Sequence, residues 1–174
     1  MIEIFDDLIP YSYLEDIQNY FLNGNAPWTF MPSMTYGEEE GDMESFGLSI
    51  SICNHGRFEQ TYQATLLKGL LYTILEQTGQ KQIFRSRIDM TLYNPDGYRH
   101  EVHTDLPDNM KNITTIFYVN DSDGDTLIYN DTGHLLKAVK PRQNRLLVFD
   151  GSLPHTGHSP SNHKSRVLIN TNCM

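Results

Sequence analysis

The tripeptide His103-Thr104-Asp105 carries the clearest chemical potential in this chain. Residues i and i+2 of a strand point to the same side, so a predicted strand here presents an imidazole and a carboxylate together to one ion. Seven histidines are present, His55, His100, His103, His134, His155, His158 and His163. Of these, His155 is the best third ligand. It follows Leu146-Leu147-Val148-Phe149-Asp150-Gly151, a hydrophobic strand and turn that would return the chain across a jelly roll. Two histidines and one carboxylate on one face of an octahedron suit Fe(II) and leave three positions open for reactants. A zinc site built from His100, His103, His155 and His158 is the competing arrangement. Structural zinc usually takes thiolates, however, and a three-histidine catalytic site would leave Asp105 without a role.

Elements that could hold such a triad are legible in the spacing of apolar residues. Ser12 and Glu15 read as a capping box for a helix whose Leu14, Ile17 and Phe21 share a face until Asn23-Gly24. A second helix is predicted from about residue 59 to 78, with Leu66, Leu67, Leu70, Leu71, Ile74 and Leu75 as a wide stripe and Gly79 at its end. From Ile83 onward, the segments 83–93, 99–105, 113–119, 125–130, 134–139, 145–149, 154–158 and 166–171 read as short strands. They are separated by turns such as Asn94-Pro95-Asp96-Gly97. This pattern predicts a mainly β fold with supporting α-helices, a jelly roll or small barrel. In the first of these strands Ile88, Met90 and Leu92 alternate with Arg87, Asp89, Thr91 and Tyr93. The apolar face should meet the helices and the polar face should line a pocket.

Composition narrows the partners. With 174 residues the chain has the length of one domain, 1–174, expected to divide into helical support at about 10–79 and a jelly-roll core at about 83–171. Thirteen Lys and Arg against 22 Asp and Glu give a net charge of −9, which argues against a nucleic-acid or membrane-surface partner. Two cysteines, Cys53 and Cys173, are too few for a disulfide framework. The first residues are acidic where a signal peptide is basic, and no apolar run approaches the ~18 residues of a membrane span. A soluble, cytoplasmic protein is therefore expected. The acidic segment 37–44, five carboxylates and two glycines, reads as a solvated loop, with a lid over the pocket mouth as the alternative.

Taken in order, Tyr93-Asn94-Pro95-Asp96-Gly97-Tyr98, His103-Thr104-Asp105, Ile116-Phe117-Tyr118-Val119-Asn120, Gly124-Asp125-Thr126-Leu127, Leu147-Val148-Phe149-Asp150-Gly151, His155 and Arg166-Val167-Leu168-Ile169-Asn170 resemble the motifs of the Fe(II)- and 2-oxoglutarate-dependent dioxygenases, in their prolyl 4-hydroxylase-like branch. The resemblance covers about residues 83–171. It implies a double-stranded β-helix, Fe(II) held by His103, Asp105 and His155, and 2-oxoglutarate and O2 as co-substrates, with ascorbate as a candidate reductant. It further implies that Arg166 binds the far carboxylate of 2-oxoglutarate, where a planar guanidinium fits better than an ammonium, and that the hydroxyls of Tyr118 and Tyr93 bond the co-substrate. The implied reaction is hydroxylation of a C–H bond with release of succinate and CO2, the implied substrate a prolyl residue in a peptide or protein. A small-molecule hydroxylase is the nearest alternative, followed by an AlkB-type nucleic-acid demethylase and a non-catalytic cupin-like binding module. An AlkB-type enzyme would carry a second arginine on the final strand, where this chain has Asn172. Two departures concern the substrate side: Gly124-Asp125-Thr126 replaces a common Gly-Gly-Glu, and Ile169-Asn170-Thr171-Asn172 lacks a family aromatic.

Overall fold

The computed structural model describes residues 1–35, 44–107 and 109–174, so most of the acidic segment 37–44 lies outside the described residues. In chain order the elements are β1 (Ile2–Phe5), α1 (Tyr11–Leu22), β2 (Thr29–Met31), β3 (Gly47–Asn54), β4 (Arg57–Phe58), α2 (Tyr62–Thr78), β5 (Ile83–Leu92), β6 (Ile113–Tyr118), β7 (Thr126–Tyr129), β8 (Leu135–Val139), β9 (Arg145–Asp150), β10 (His155–Gly157) and β11 (Ser165–Cys173). The large antiparallel sheet has the order β1-β9-β6-β11-β5-β3-β2, with β4 paired to β3, and the small one the order β10-β7-β8. This is the expected mainly β jelly roll with two helices.

Alternation along the central strands builds two apolar layers. One set, including Phe117, Leu146, Val148, Val167 and Ile169, packs with Leu14, Ile17, Phe21, Leu67, Leu70, Leu71 and Ile74 of the helices. The residues between them in sequence, Ile116, Tyr118, Leu147, Phe149 and Leu168, meet Ile128 and Val139 of the small sheet. Strands buried on both faces need near-continuous apolar runs, which is why Leu146-Leu147-Val148-Phe149 carries no polar residue. Each fully buried side chain of this size contributes roughly 1.5–3 kcal/mol. Tyr13 locks the helices together: its hydroxyl donates to the Leu66 carbonyl at 2.6 Å and accepts from the Leu70 amide at 3.1 Å.

Several sequence expectations change. Helix α1 starts at Tyr11 behind Pro10, with no side-chain cap; Ser12 already lies inside it, so there is no capping box. The proline's restricted φ sets the first turn, and its carbonyl accepts from the Tyr13 and Leu14 amides. Helix α2 begins at Tyr62 rather than near residue 59, because Thr61 caps it through the Ala64 amide and the Glu59 amide bonds Ile52. Its end is as expected, with Gly79 at φ 66°. The N-terminal half also supplies four strands, of which β3 pairs β5 and β1 pairs β9. Among the described residues no helix is long and apolar enough to cross a membrane. Cys53 and Cys173 are both free and buried.

The segment 99–105 is not a strand. It touches β10 through two isolated bridges, Arg99 with His158 and His103 with His155. Four residues separate the bridges on one side and three on the other, so a regular ladder cannot form. Next to it, Asp123 pins the turn before β11 by accepting from the Ser161 and Asn162 amides at 3.2 and 2.9 Å and from His163 Nδ1 at 2.8 Å. This turn sets where Arg166 begins its strand.

Candidate active site

Backbone pairing brings the two candidate histidine ligands together. The His103 amide donates to the His155 carbonyl at 3.0 Å and the His155 amide to the His103 carbonyl at 2.9 Å, leaving the imidazole centroids 4.7 Å apart. Asp105 then folds back from the bend that follows. Ligand atoms of His103, Asp105 and His155 all lie within 4.8 Å of one another, the one such group among the described residues. His103 Nδ1 meets the Glu101 carbonyl at 2.9 Å and His155 Nδ1 the Leu153 carbonyl at 3.1 Å. A carbonyl only accepts, so each Nδ1 carries the proton and each Nε2 keeps a free lone pair, the tautomer a metal ligand needs. Burial pulls the pKa of His155 down, with Asp105 opposing and His103 adding to the fall, so this imidazole is neutral near pH 7. Burial works to raise the pKa of Asp105, but His155, Arg85 and His103 prevail and hold it well below the usual carboxylate range. Two imidazoles with Nε2 turned toward the carboxylate and one buried carboxylate make a donor set that could hold Fe(II).

The same cavity, with about 520 Å³ of free space including its mouth, reaches Arg166, Thr91, Asn170 and His100. Arg166 is buried, and among the described residues no carboxylate forms an ion pair with it; its Nη2 donates to Thr126 Oγ1 at 2.7 Å and its Nε has no partner. A buried cation without an anion is costly by several kcal/mol. One cavity therefore brings a buried guanidinium, free of an ion-paired carboxylate among the described residues, together with the two histidines of the triad. Thr91, the register partner of Arg166, also lines it and has a buried hydroxyl without a partner. Asn170 donates from Nδ2 to both oxygens of Asp105 at 3.2 Å, which turns its unpartnered Oδ1 away from that carboxylate.

Two glycines make room for Arg166. A Cβ on Gly157 would lie 2.9–3.2 Å from the guanidinium, and one on Gly124 would meet the Arg166 side chain and the His158 carbonyl. On the role that the sequence resemblance implies for Arg166, Gly157→Ala is expected to push the guanidinium aside and raise the KM for 2-oxoglutarate about tenfold, a ~1.4 kcal/mol effect, while Mn(II) affinity stays at the wild-type value. Titrating both ligands against the variant checks this; equal KM values would show that the guanidinium tolerates the shift.

The model of the 2OG-Fe(II) oxygenase superfamily matches residues 88–174, half of the chain and all of the segment that carries the triad and Arg166. The chain belongs to the 2OG-Fe(II) oxygenase superfamily. Its fold is the double-stranded β-helix, and its cofactors are Fe(II), 2-oxoglutarate and O2. Solved structures agree on the fold over 99% of the chain. A prolyl hydroxylase from Trichoplax adhaerens, in complex with a peptide fragment of the hypoxia inducible factor oxygen degradation domain, matches with TM-score 0.74 and 13% identity over 83% of its own chain. A prolyl-4-hydroxylase from Pseudomonas putida matches with TM-score 0.64 and 15% identity over 91%. SnoN, a non-heme alpha ketoglutarate dependent epimerase from nogalamycin biosynthesis, matches with TM-score 0.69 and 9% identity over 77%. Among curated proteins no sequence matches this chain.

The remaining sequence expectations for the oxygenase divide. His103, Asp105, His155 and Arg166 meet at one cavity. Tyr118 sits behind Arg166, its ring 5.8 Å from the guanidinium carbon and its hydroxyl donating to Thr126 at 2.7 Å, so it braces the arginine instead of facing the cavity. Tyr93 requires a correction. It keeps the inward parity of Asp89 and Thr91 but falls just past the end of β5, where it is 56% exposed and lines a separate surface depression with His163 and Lys164. His158, one of the zinc candidates, accepts from Arg99 Nε at 3.1 Å, so that ring nitrogen is already engaged. Sequence reasoning placed Thr91 on the pocket-facing side of β5 but missed Asn170, although its inward parity was readable on β11, and it missed Arg85 because its partner is distant in sequence.

Proposed function

We propose that this oxygenase hydroxylates a C–H bond, with a prolyl residue of a peptide or protein as the substrate, by the reaction 2-oxoglutarate + O2 + R–H → succinate + CO2 + R–OH. The observation that carries it is the pairing, within one cavity, of a three-residue group able to hold a metal with a buried arginine that has no carboxylate partner among the described residues. In this reading His103 and His155 present Nε2, and Asp105 one carboxylate oxygen, to Fe(II). Arg166, braced by Tyr118 and Thr126 and joined by Thr91, takes the far carboxylate of 2-oxoglutarate. Bound iron and its co-substrate supply the activation of dioxygen; the protein supplies alignment and a dry site. Ile116 and Leu168 line the cavity and keep water from its centre.

The prolyl reading is supported by the peptide-bound and prolyl-4-hydroxylase structures among the fold neighbours. A small-molecule substrate is the second reading, favoured by the epimerase from nogalamycin biosynthesis that shares the fold. An AlkB-type role is disfavoured by the net charge of −9 and by Asn172, which is turned onto Asp105 and leaves no second arginine on β11. Free Cys53 and Cys173 support a reducing, cytoplasmic location. The test is to incubate iron-loaded protein with 2-oxoglutarate and a proline-containing peptide library. A peptide gaining one oxygen only when 2-oxoglutarate is present supports the prolyl reading. Oxidation of free amino acids or other small molecules, with every peptide unchanged, would overturn it in favour of the second.

A further inference from the structure

Three neighbouring strands of the large sheet converge on Asp105. Asn172 on β11 is the register partner of Arg85 on β5 and of Thr114 on β6. Arg85 Nη2 donates to Asp105 Oδ1 at 2.9 Å, and its Nε donates to Asn172 Oδ1 at 3.1 Å. Asn172 Nδ2 in turn reaches Asp105 Oδ2 at 3.1 Å, with Thr114 Oγ1 at 3.4 Å from the same oxygen. With the two contacts from Asn170 at 3.2 Å, the carboxylate accepts from four side chains and has few lone-pair directions left. One of these donors, Arg85, is a full positive charge that exposes 19% of its side chain.

We infer that Arg85 and Asn172 form a cross-strand clamp that positions Asp105 as a single-oxygen ligand, and that Arg85 sets metal affinity by standing in for the ion's charge when the site is metal-free. The inference rests on the metal triad proposed above. The two members of the clamp act with opposite sign. Asn172 contributes geometry alone: it holds Asp105 directly and fixes the guanidinium. Arg85 contributes geometry that the other donors largely duplicate, plus a charge that repels an incoming dication and weakens the carboxylate's donation. Solvent screens part of that charge, so its effect is moderate.

Mn(II) binding to chelator-stripped protein, read by electron paramagnetic resonance together with thermal melting, separates these roles. Asn172→Ala should weaken Mn(II) binding about tenfold, within the range seen when an outer partner of a metal ligand is lost. Arg85→Gln should tighten it about tenfold and enlarge the rise in Tm that Mn(II) produces. Arg85→Lys, which restores the charge, should return the affinity to within about twofold of wild type. A purely structural arginine predicts weaker binding in Arg85→Gln and Asn172→Ala alike, and that result overturns the inference. If Arg85→Gln does not fold, the comparison of Arg85→Lys with Asn172→Ala decides: equal loss in both contradicts it. Asp105→Ala is the control. Should it bind Mn(II) as wild type does, the triad itself is wrong and the clamp falls with it; weak binding there with no gain in Arg85→Gln sinks the clamp alone.

Discussion

Replacing Asp105 by alanine is expected to weaken Fe(II) binding more than about 100-fold and to stop 2-oxoglutarate turnover, because the variant loses the only anionic ligand of the triad and keeps two imidazoles. The electrostatic consequence is larger than the loss of one bond. Asp105 is buried and stays ionised because the Arg85 charge and the side-chain donors around the carboxylate outweigh its desolvation, so a dication entering the wild-type site meets a charge already present. In the variant Asn170 Nδ2 loses both its acceptors, and an unsatisfied buried donor costs about 1–3 kcal/mol, while Asn172 keeps Thr114 and the part-exposed Arg85 can turn to water. The melting temperature of the metal-free variant should therefore fall as well. Anaerobic Fe(II) titration and a melting curve check both effects. An Asp105→Ala protein that retains iron and decarboxylates 2-oxoglutarate as wild type does would rule out the triad.

The second large effect belongs to Arg166. Removing one side of a buried carboxylate–guanidinium pair costs roughly 3–5 kcal/mol, so Arg166→Ala should raise the KM for 2-oxoglutarate by on the order of 100-fold or more while Mn(II) binding stays near wild type. A second readout is available, because a ligand that binds only the folded state raises Tm. Saturating 2-oxoglutarate should stabilise the wild type and leave Arg166→Ala unmoved. Other cations cannot take over easily. Arg145 donates to Asp6 at 2.7 Å, and Lys164 is exposed on the turn before β11. Arg87 lines the same cavity, ion-paired with Asp89 at 2.8 Å. An unchanged KM in Arg166→Ala would transfer the anchor to Arg87.

The legible part of this protein was the part where local patterns coincide with tertiary needs. The alternation of Arg87, Asp89 and Thr91 with Ile88 and Met90 told which face of β5 lines the cavity, and the Leu66–Leu75 stripe ending at Gly79 told where α2 packs and stops. The two-residue spacing of His103 and Asp105 pointed to the metal site, yet the strand that would justify it is absent: the bridge to His155 and the side chains holding Asp105 do the positioning. Those side chains come from β5, β6 and β11, and no local pattern announces a cross-strand contact between residues 85, 105 and 172. Strand β3 was legible but passed over, since Leu48, Ile50 and Ile52 alternate with Ser49 and Ser51 as a half-buried strand should. Tyr93 shows the limit of motif order, which gives the inward parity of a residue but not whether the strand is still beside the cavity when it is reached.

Where the atoms of dioxygen go tests the proposed oxygenase account most directly. Iron-loaded protein, 2-oxoglutarate and a peptide that gains oxygen should be incubated under isotopically labelled O2, and the products analysed by mass spectrometry. The account predicts succinate and oxidised peptide in equal amounts, each carrying one labelled oxygen atom, with both products lost in Arg166→Ala at a 2-oxoglutarate concentration that saturates the wild type. Labelled peptide formed without succinate, or succinate without label, would contradict it.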